Sequence, residues 1–171
     1  MADELVDIVD QEDKIIGSSM KSKAHQEGLL HRTVIGEVIG TNRIWTVVEQ
    51  SESKQDTGQY VSAVGGHVKS GESIIDALKR EAKEEYGLSG KFKFKLIGKK
   101  VYNRSVKGSL ENHYFIIFEI YTNKKPILDE ESVNYKRFSE KDLSKELKEH
   151  PEKFGPPFIF LINSFYPQLT K

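Results

Sequence analysis

The stretch GGHVKSGESIIDALKREAKEEYGL, from Gly65 to Leu88, constrains this chain more than any other. Its apolar residues recur at helical spacing from Ser73 to Tyr86, and Gly87 stands where a left-handed cap would end the helix. Projected at about 100° per residue, Ile74, Leu78, Ala82, Ile75 and Tyr86 spread over about 120°. Asp76, Lys79 and Lys83 fall on the opposite side. Glu81, Glu84 and Glu85 fill an arc of about 100° that overlaps the edge of the apolar stripe. They therefore face along the protein wall, where they crowd one another and lose solvent.

On an open surface such a cluster is tolerable, since a like-charge pair one turn apart costs only ~0.2–0.5 kcal/mol. Semi-buried carboxylates need a counter-charge or take up protons. The lysines lie across the helix and cannot serve. A hard divalent ion can, because Mg²⁺ favours oxygen ligands and commonly bridges carboxylates to substrate phosphates. These positions ask for a metal, and the metal asks for a phosphate.

The rest of the chain narrows the options. At 171 residues with 37% hydrophobic content, it suits a single α/β domain over 1–171 with a real core. A formal net charge of zero gives no general pull toward nucleic acid polymers or acidic membranes. The absence of cysteine excludes disulfides, thiolate metal sites and a cysteine nucleophile. The opening MADELVDIVDQEDK is acidic, unlike a signal peptide, and no apolar run approaches the ~20 residues of a membrane span. A cytoplasmic protein is expected.

Local pattern predicts strands at Leu5 to Val9 and Lys14 to Ser18, then a short helical piece from Ser19 to Gly28. Two β-branched runs, His31 to Ile39 and Arg43 to Val48, flank Gly40-Thr41-Asn42 as a hairpin. Ser51 to Gln59 reads as loop and Tyr60 to Val64 as a strand. After the central helix, Phe92 to Val101 and Tyr114 to Tyr121 read as strands, with Asn103 to Asn112 a loop between them. Lys136 to Phe138 is a last strand. Ser139 opens a helix that Pro151 ends, and Pro157 to Ser164 forms a final helix that docks on the sheet or offers a homodimer surface.

The glycine-to-leucine segment resembles the Nudix box: a glycine, five residues, a glutamate, seven residues, Arg-Glu, an apolar residue, any residue, Glu-Glu, any residue, glycine, apolar. Gly66, Glu72, Arg80, Glu81, Glu84, Glu85, Gly87 and Leu88 fill eight specified places within 23 positions. The resemblance implies an α/β/α sandwich around a mixed β-sheet, with the box as a loop-helix-loop catalytic motif. It also implies hydrolysis of a diphosphate linkage, an acid anhydride of phosphorus, typically in a nucleoside diphosphate joined to another group. Carried over by position, Glu81, Glu84 and Glu85 would hold Mg²⁺ or Mn²⁺ beside the Gly65 carbonyl. Glu72 and Arg80 would brace the loop against the helix. Glu84 is the first choice for a shared metal and base role. Glu111, Glu119, Glu130 and Glu131 are the glutamates outside the box that could take the base role instead.

A second resemblance covers more of the chain. ELVDIVDQEDKIIG and AHQEGLLHRTV look like the amino-terminal part of type I isopentenyl-diphosphate isomerases. In those enzymes histidines and glutamates hold a divalent metal. His25, His31 and His67 match, Glu111 aligns with one glutamate ligand, and His113 falls where a second would be. Such a set would suit Zn²⁺, Mn²⁺ or a similar ion. Its bland counterpart is a group of ordinary hydrogen-bonded histidines on an inherited scaffold, and His150 is taken as a surface residue. Isomerisation itself needs a cysteine at the position of Gly65, which this chain lacks. A non-catalytic Nudix-like ligand-binding domain is the other alternative, and the intact box speaks against it.

Candidate substrate contacts are Lys54, Arg104 on the predicted loop, and Tyr60; Trp45 and Tyr60 could stack on a base, although an aromatic on a strand is usually core. The alternation KFKFKL places Lys91, Lys93 and Lys95 on one face, read as a solvated strand face in preference to a phosphate rim.

Overall fold

The computed structural model describes residues 3–171. The chain runs β1 (Leu5–Val9), β2 (Ile15–Met20), α1 (Lys21–Glu27), β3 (His31–Gly40), β4 (Ile44–Gln50), β5 (Tyr60–Ser62), β6 (Val64–His67) and α2 (Ile74–Tyr86). It continues through β7 (Lys93–Val106), β8 (Ser109–Tyr121), β9 (Ser132–Phe138), α3 (Glu140–Glu149) and α4 (Pro156–Phe165). All nine strands join one mixed sheet.

Strand β3 is the hub. It runs parallel to β8 from His31↔His113 to Ile39↔Tyr121. Its other edge is shared by β1, β6 and β4, all antiparallel. Its sequence TVIGEVIG is apolar on both faces because both faces are covered. Val34 and Val38 meet Ala77, Leu78, Ala82 and Tyr86 of α2. Ile39 meets Leu143 of α3 and Phe158 and Ile162 of α4, and Ile35 meets Leu161. The expected α/β/α sandwich follows from this two-sided burial.

Helix α2 is held at both ends as its sequence dictates. Ser73 caps it, its Oγ accepting from the Asp76 amide at 3.1 Å. Gly87 closes it at φ 76°, and its position is closed to a side chain because a Cβ would strike Ile127.

Two segments depart from expectation. Asn103 to Asn112 is no loop: from Gly98↔Ile117 onward β7 and β8 stay paired up to a two-residue turn at Lys107-Gly108, with φ of 47° and 78°. This is the primed hairpin turn that matches strand twist, and the polar residues around it conceal two strand ends. The predicted strand Tyr60 to Val64 is two strands, and the second continues through Gly65 and Gly66 to His67. Lys91, Lys93 and Lys95 are exposed as read, but a bulge after Leu96 breaks the alternation and leaves that residue half exposed.

One polar residue lies in the apolar run of β3. Glu37 is fully buried, one oxygen accepting from Ser62 Oγ at 2.7 Å and the other without a partner among the described residues. Burial pushes its pKa up to about 7, and the neighbouring Glu119 adds to the rise. The folded value lies above the unfolded one, so the folded state keeps this proton between about pH 4.5 and 7. Its contribution to stability is intact at low pH and falls as pH rises through that window. Glu37→Gln should remove the loss: in urea unfolding, the wild type drops by on the order of 3 kcal/mol relative to the variant between about pH 5 and 8.

Candidate functional site

The box folds around one guanidinium. Arg80 Nε and Nη2 grip Glu72 at 2.8 and 2.9 Å, and Nη2 also donates to the His67 carbonyl at 2.9 Å. Nη1 reaches Glu81 at 2.5 Å and Glu84 at 3.4 Å. Glu72 in turn accepts from the Lys69 amide at 3.0 Å. The loop before α2 is also tied to β1, where Asp7 accepts from Ser70 Oγ at 2.6 Å and from the Gly71 amide at 3.2 Å. Counting lysines alone leaves the glutamates without a counter-charge; Arg80, from within the box, supplies part of one.

Position divides the three glutamates. Glu81 is buried, and a Cβ on Gly66 would run into its carboxylate, so glycine is what lets β6 pass there. Glu85 accepts from the Gly65 amide at 2.6 Å. Glu84 keeps most of its carboxylate in solvent, with its side chain 57% exposed. Burial pushes Glu81 above the usual carboxylate range despite Arg80. Burial, with the charge of Glu81 beside it, carries Glu85 up to about 8, against the opposing Gly65 amide. Glu72 is held low, Arg80 and the Lys69 amide outweighing its burial. Two crowded carboxylates in a water-poor place form a donor set of hard oxygens that a divalent cation fits.

These side chains edge a cleft of about 490 Å³. Ile35, Val61, Phe115 and Leu161 give it an apolar wall. Lys54 lines it, paired with Glu131 at 2.5 Å. Arg104 also lines it, already engaged: its Nη atoms fork onto Asp56 at 2.6 and 3.0 Å, and its Nε meets Glu111 at 2.5 Å. Lys107 at the hairpin tip donates to the Lys54 carbonyl at 2.8 Å. The hairpin and the 51–59 loop are thus fastened together. Asp56 escaped sequence reasoning, since nothing marks one acid in a polar loop as the buried partner of a distant arginine.

Four imidazoles converge from His25 on α1, His31 on β3, His67 on β6 and His113 on β8, and His25, His67 and His113 line the same cleft. The Nε2 atoms of His31 and His25 lie 3.2 Å apart, those of His25 and His113 3.2 Å, and those of His67 and His113 3.4 Å. Burial pushes all four below the ordinary histidine range, His31 to about 4, which favours the neutral ring. Glu111 belongs to Arg104 and stands outside this group.

Other candidates lie elsewhere. Trp45 and Tyr60 are buried in the core beside α3 and α4, Tyr60 against Phe154, so neither offers a face for a base. Glu131 and Glu111 border the cleft; Glu119, bound by Arg43 and the Tyr121 hydroxyl, and Glu130 do not. Helix α4 buries Phe158, Leu161 and Ile162 on the sheet. No helix among the described residues is long and apolar enough to cross a membrane.

Comparison with known proteins agrees with this geometry. Over 163 residues the chain is 29% identical to an isopentenyl-diphosphate Delta-isomerase of Serratia proteamaculans, covering 94% of this chain and 90% of the relative. It is 38% identical over 90 residues to an uncharacterized Nudix hydrolase of Streptomyces coelicolor, a match that spans 52% of this chain and 50% of that protein. Among solved structures, a protein of Deinococcus radiodurans superposes with a TM-score of 0.77 at 18% identity, covering 95% of this chain and 99% of the other. A MutT protein of Methanosarcina mazei gives 0.65 at 19%, covering 83% and 96%; at these identities both speak to fold alone. The NUDIX domain model matches residues 29–158, box and hub strand included, and the chain belongs to the Nudix family.

Proposed function

We propose that this protein, as one catalytic domain, hydrolyses a diphosphate linkage in a nucleoside diphosphate derivative or related small organic diphosphate. Glu81, Glu84, Glu85 and the Gly65 carbonyl would hold Mg²⁺ or Mn²⁺. The observation that carries this is the convergence of three box carboxylates at the cleft, two of them crowded and desolvated. A bound divalent ion would supply charge neutralisation and polarise a phosphoryl oxygen.

The chain's own residues divide the remaining work. Arg80 fixes Glu81 and holds the loop to the helix, which supports a site formed before substrate arrives. Glu84, the glutamate open to solvent, is positioned to orient a water and take its proton, a role worth ~10²–10⁴-fold. Lys54 faces the glutamates beside Glu131 and can share its charge with an incoming phosphate. Arg104 is better suited to bracing the 51–59 loop than to gripping a phosphate, since its guanidinium is committed to Asp56 and Glu111.

Isomerisation is the second reading, and likeness to a named isomerase over nearly the whole chain favours it. Against it, Gly65 offers no thiol, and the box is complete. A panel of nucleoside diphosphate derivatives, dinucleotides and prenyl diphosphates, assayed with Mg²⁺ and Mn²⁺, separates the readings. Wild type should release phosphate or a phosphorylated product from at least one compound and leave isopentenyl diphosphate unisomerised. Glu84→Gln should lose at least ~10² in rate. Phosphate release by that variant at the wild-type rate would remove Glu84 from the base role, and no release by wild type would favour a binding domain.

The raised pKa of Glu85 adds a pH signature. Metal must displace its proton below about 8, so the apparent Mg²⁺ affinity should climb with pH and level off above that value. Between about pH 6 and 8 the gain should approach tenfold per unit, read by titrating Mg²⁺ at each pH.

A further inference from the structure

We propose that Ser62, held by the buried carboxylate of Glu37, sets the specificity of the cleft by presenting a hydrogen-bond acceptor to an N–H or O–H group on the organic part of the substrate. The inference deepens the diphosphate reading and rests on it for the class of molecule bound.

Most polar groups of the cleft wall already have partners. Asp56 and Glu111 engage Arg104, Glu131 engages Lys54, and the Gln50 side chain accepts from the Asp56 amide. The Thr33 hydroxyl oxygen is shut off from solvent. Ile35, Val61, Pro157, Phe158 and Leu161 make the rest of the wall apolar. Ser62 follows Val61 on β5, lines the same cleft and is half-buried. Glu37 lies two residues beyond Ile35 on β3, hence on the same strand face. The pair is therefore built into the apolar wall.

A hydroxyl carries one proton and two acceptor lone pairs. Ser62 Oγ donates that proton to Glu37 at 2.7 Å. Its remaining capacity is to accept. A serine free to rotate would serve donors and acceptors alike; the carboxylate removes the choice. A substrate that places an N–H or O–H against Ser62 completes the chain, whereas one that places a carbonyl or ether oxygen there sets two acceptors face to face.

This gives a use to an acid that is otherwise costly. Glu37 is fully buried, Ser62 is its hydrogen-bond partner, and its second oxygen has none among the described residues. Glu119 stands beside it on β8 and is held by Arg43 and the Tyr121 hydroxyl; Arg43 also grips Glu140 of α3. Tyr166, after α4, is buried nearby with its hydroxyl unpartnered. No cation among the described residues bonds Glu37, and burial pushes its carboxyl up to about 7. Above that pH the ion only accepts. Below it the acid proton can pass to Ser62 Oγ, and the serine proton can turn toward the cleft. The preference for a donor should therefore fade as pH falls through about 7. Glu37 is thus a positioning residue that acts through Ser62.

The test measures binding by calorimetry, with the full chain and Mg²⁺, of α,β-methylene diphosphates that resist cleavage. They come in pairs that differ by one donor: adenosine and purine riboside, ribo- and 2′-deoxyadenosine, a hydroxyalkyl chain and its methyl ether. At about pH 8.5 wild type should favour the donor member of at least one pair by about tenfold, a ratio that shrinks several-fold by about pH 5.5. Ser62→Ala should bring the ratio close to one, and Ser62→Thr, which keeps the hydroxyl, should restore it; this separates a lost hydrogen bond from a lost fold. Glu37→Gln should make the ratio independent of pH. No binding by wild type, no pair with a donor preference, a preference that survives Ser62→Ala, or a wild-type ratio flat across this pH range would each overturn the proposal. Hydrolysis is scored separately on the cleavable diphosphates. Donor preference without phosphate release would sink the hydrolase reading and leave this one standing, and release without preference would do the reverse.

Discussion

The guanidinium of Arg80 is the contact on which the functional end of this molecule depends. It spans the loop carboxylate Glu72, the His67 carbonyl at the end of β6, and Glu81 on its own helix. It joins loop, strand and helix where the backbone ladder cannot. Its partners are mostly desolvated, so the charge is fixed and removing it would strand Glu72 and Glu81 in a poorly solvated place. Glu81 takes its position from this cation, while Glu85 takes its own from the Gly65 amide.

Glycine does the complementary work. Gly66 lets β6 pass α2 with no side chain between them, so Glu81 can close on the strand, while Glu85 takes the backbone amide of Gly65.

Much of this was legible in the sequence. Helix α2, its glycine stop and the directions of the three glutamates follow from local spacing, because a helix converts sequence intervals directly into directions; the Glu72–Arg80 brace was implied by the resemblance to the Nudix box. The convergence of His25, His31, His67 and His113 was suggested only by resemblance, since their separations in sequence carry no geometric rule; the register of β3 with β6 and β8 creates it. Asp56 and the hairpin ending at Lys107-Gly108 were not legible. Their pairing is long-range, and polar residues on strand ends look like loop. Tyr60 and Trp45 lie where an aromatic on a strand usually does, in the core, because α3 and α4 cover them. Glu37 did leave a signal, an acid in a strand buried on both faces, though nothing local shows that it lies beside Glu119.

The fastening of the 51–59 loop to the β7–β8 hairpin makes two distant stretches of chain into a single wall. Arg104 forks onto Asp56 while Lys107 holds the carbonyl of Lys54. Residues 48 and 53 positions apart therefore behave as one unit: exchanging either segment alone would leave a buried ion without its partner, so this wall can be rebuilt only by changing both sides together.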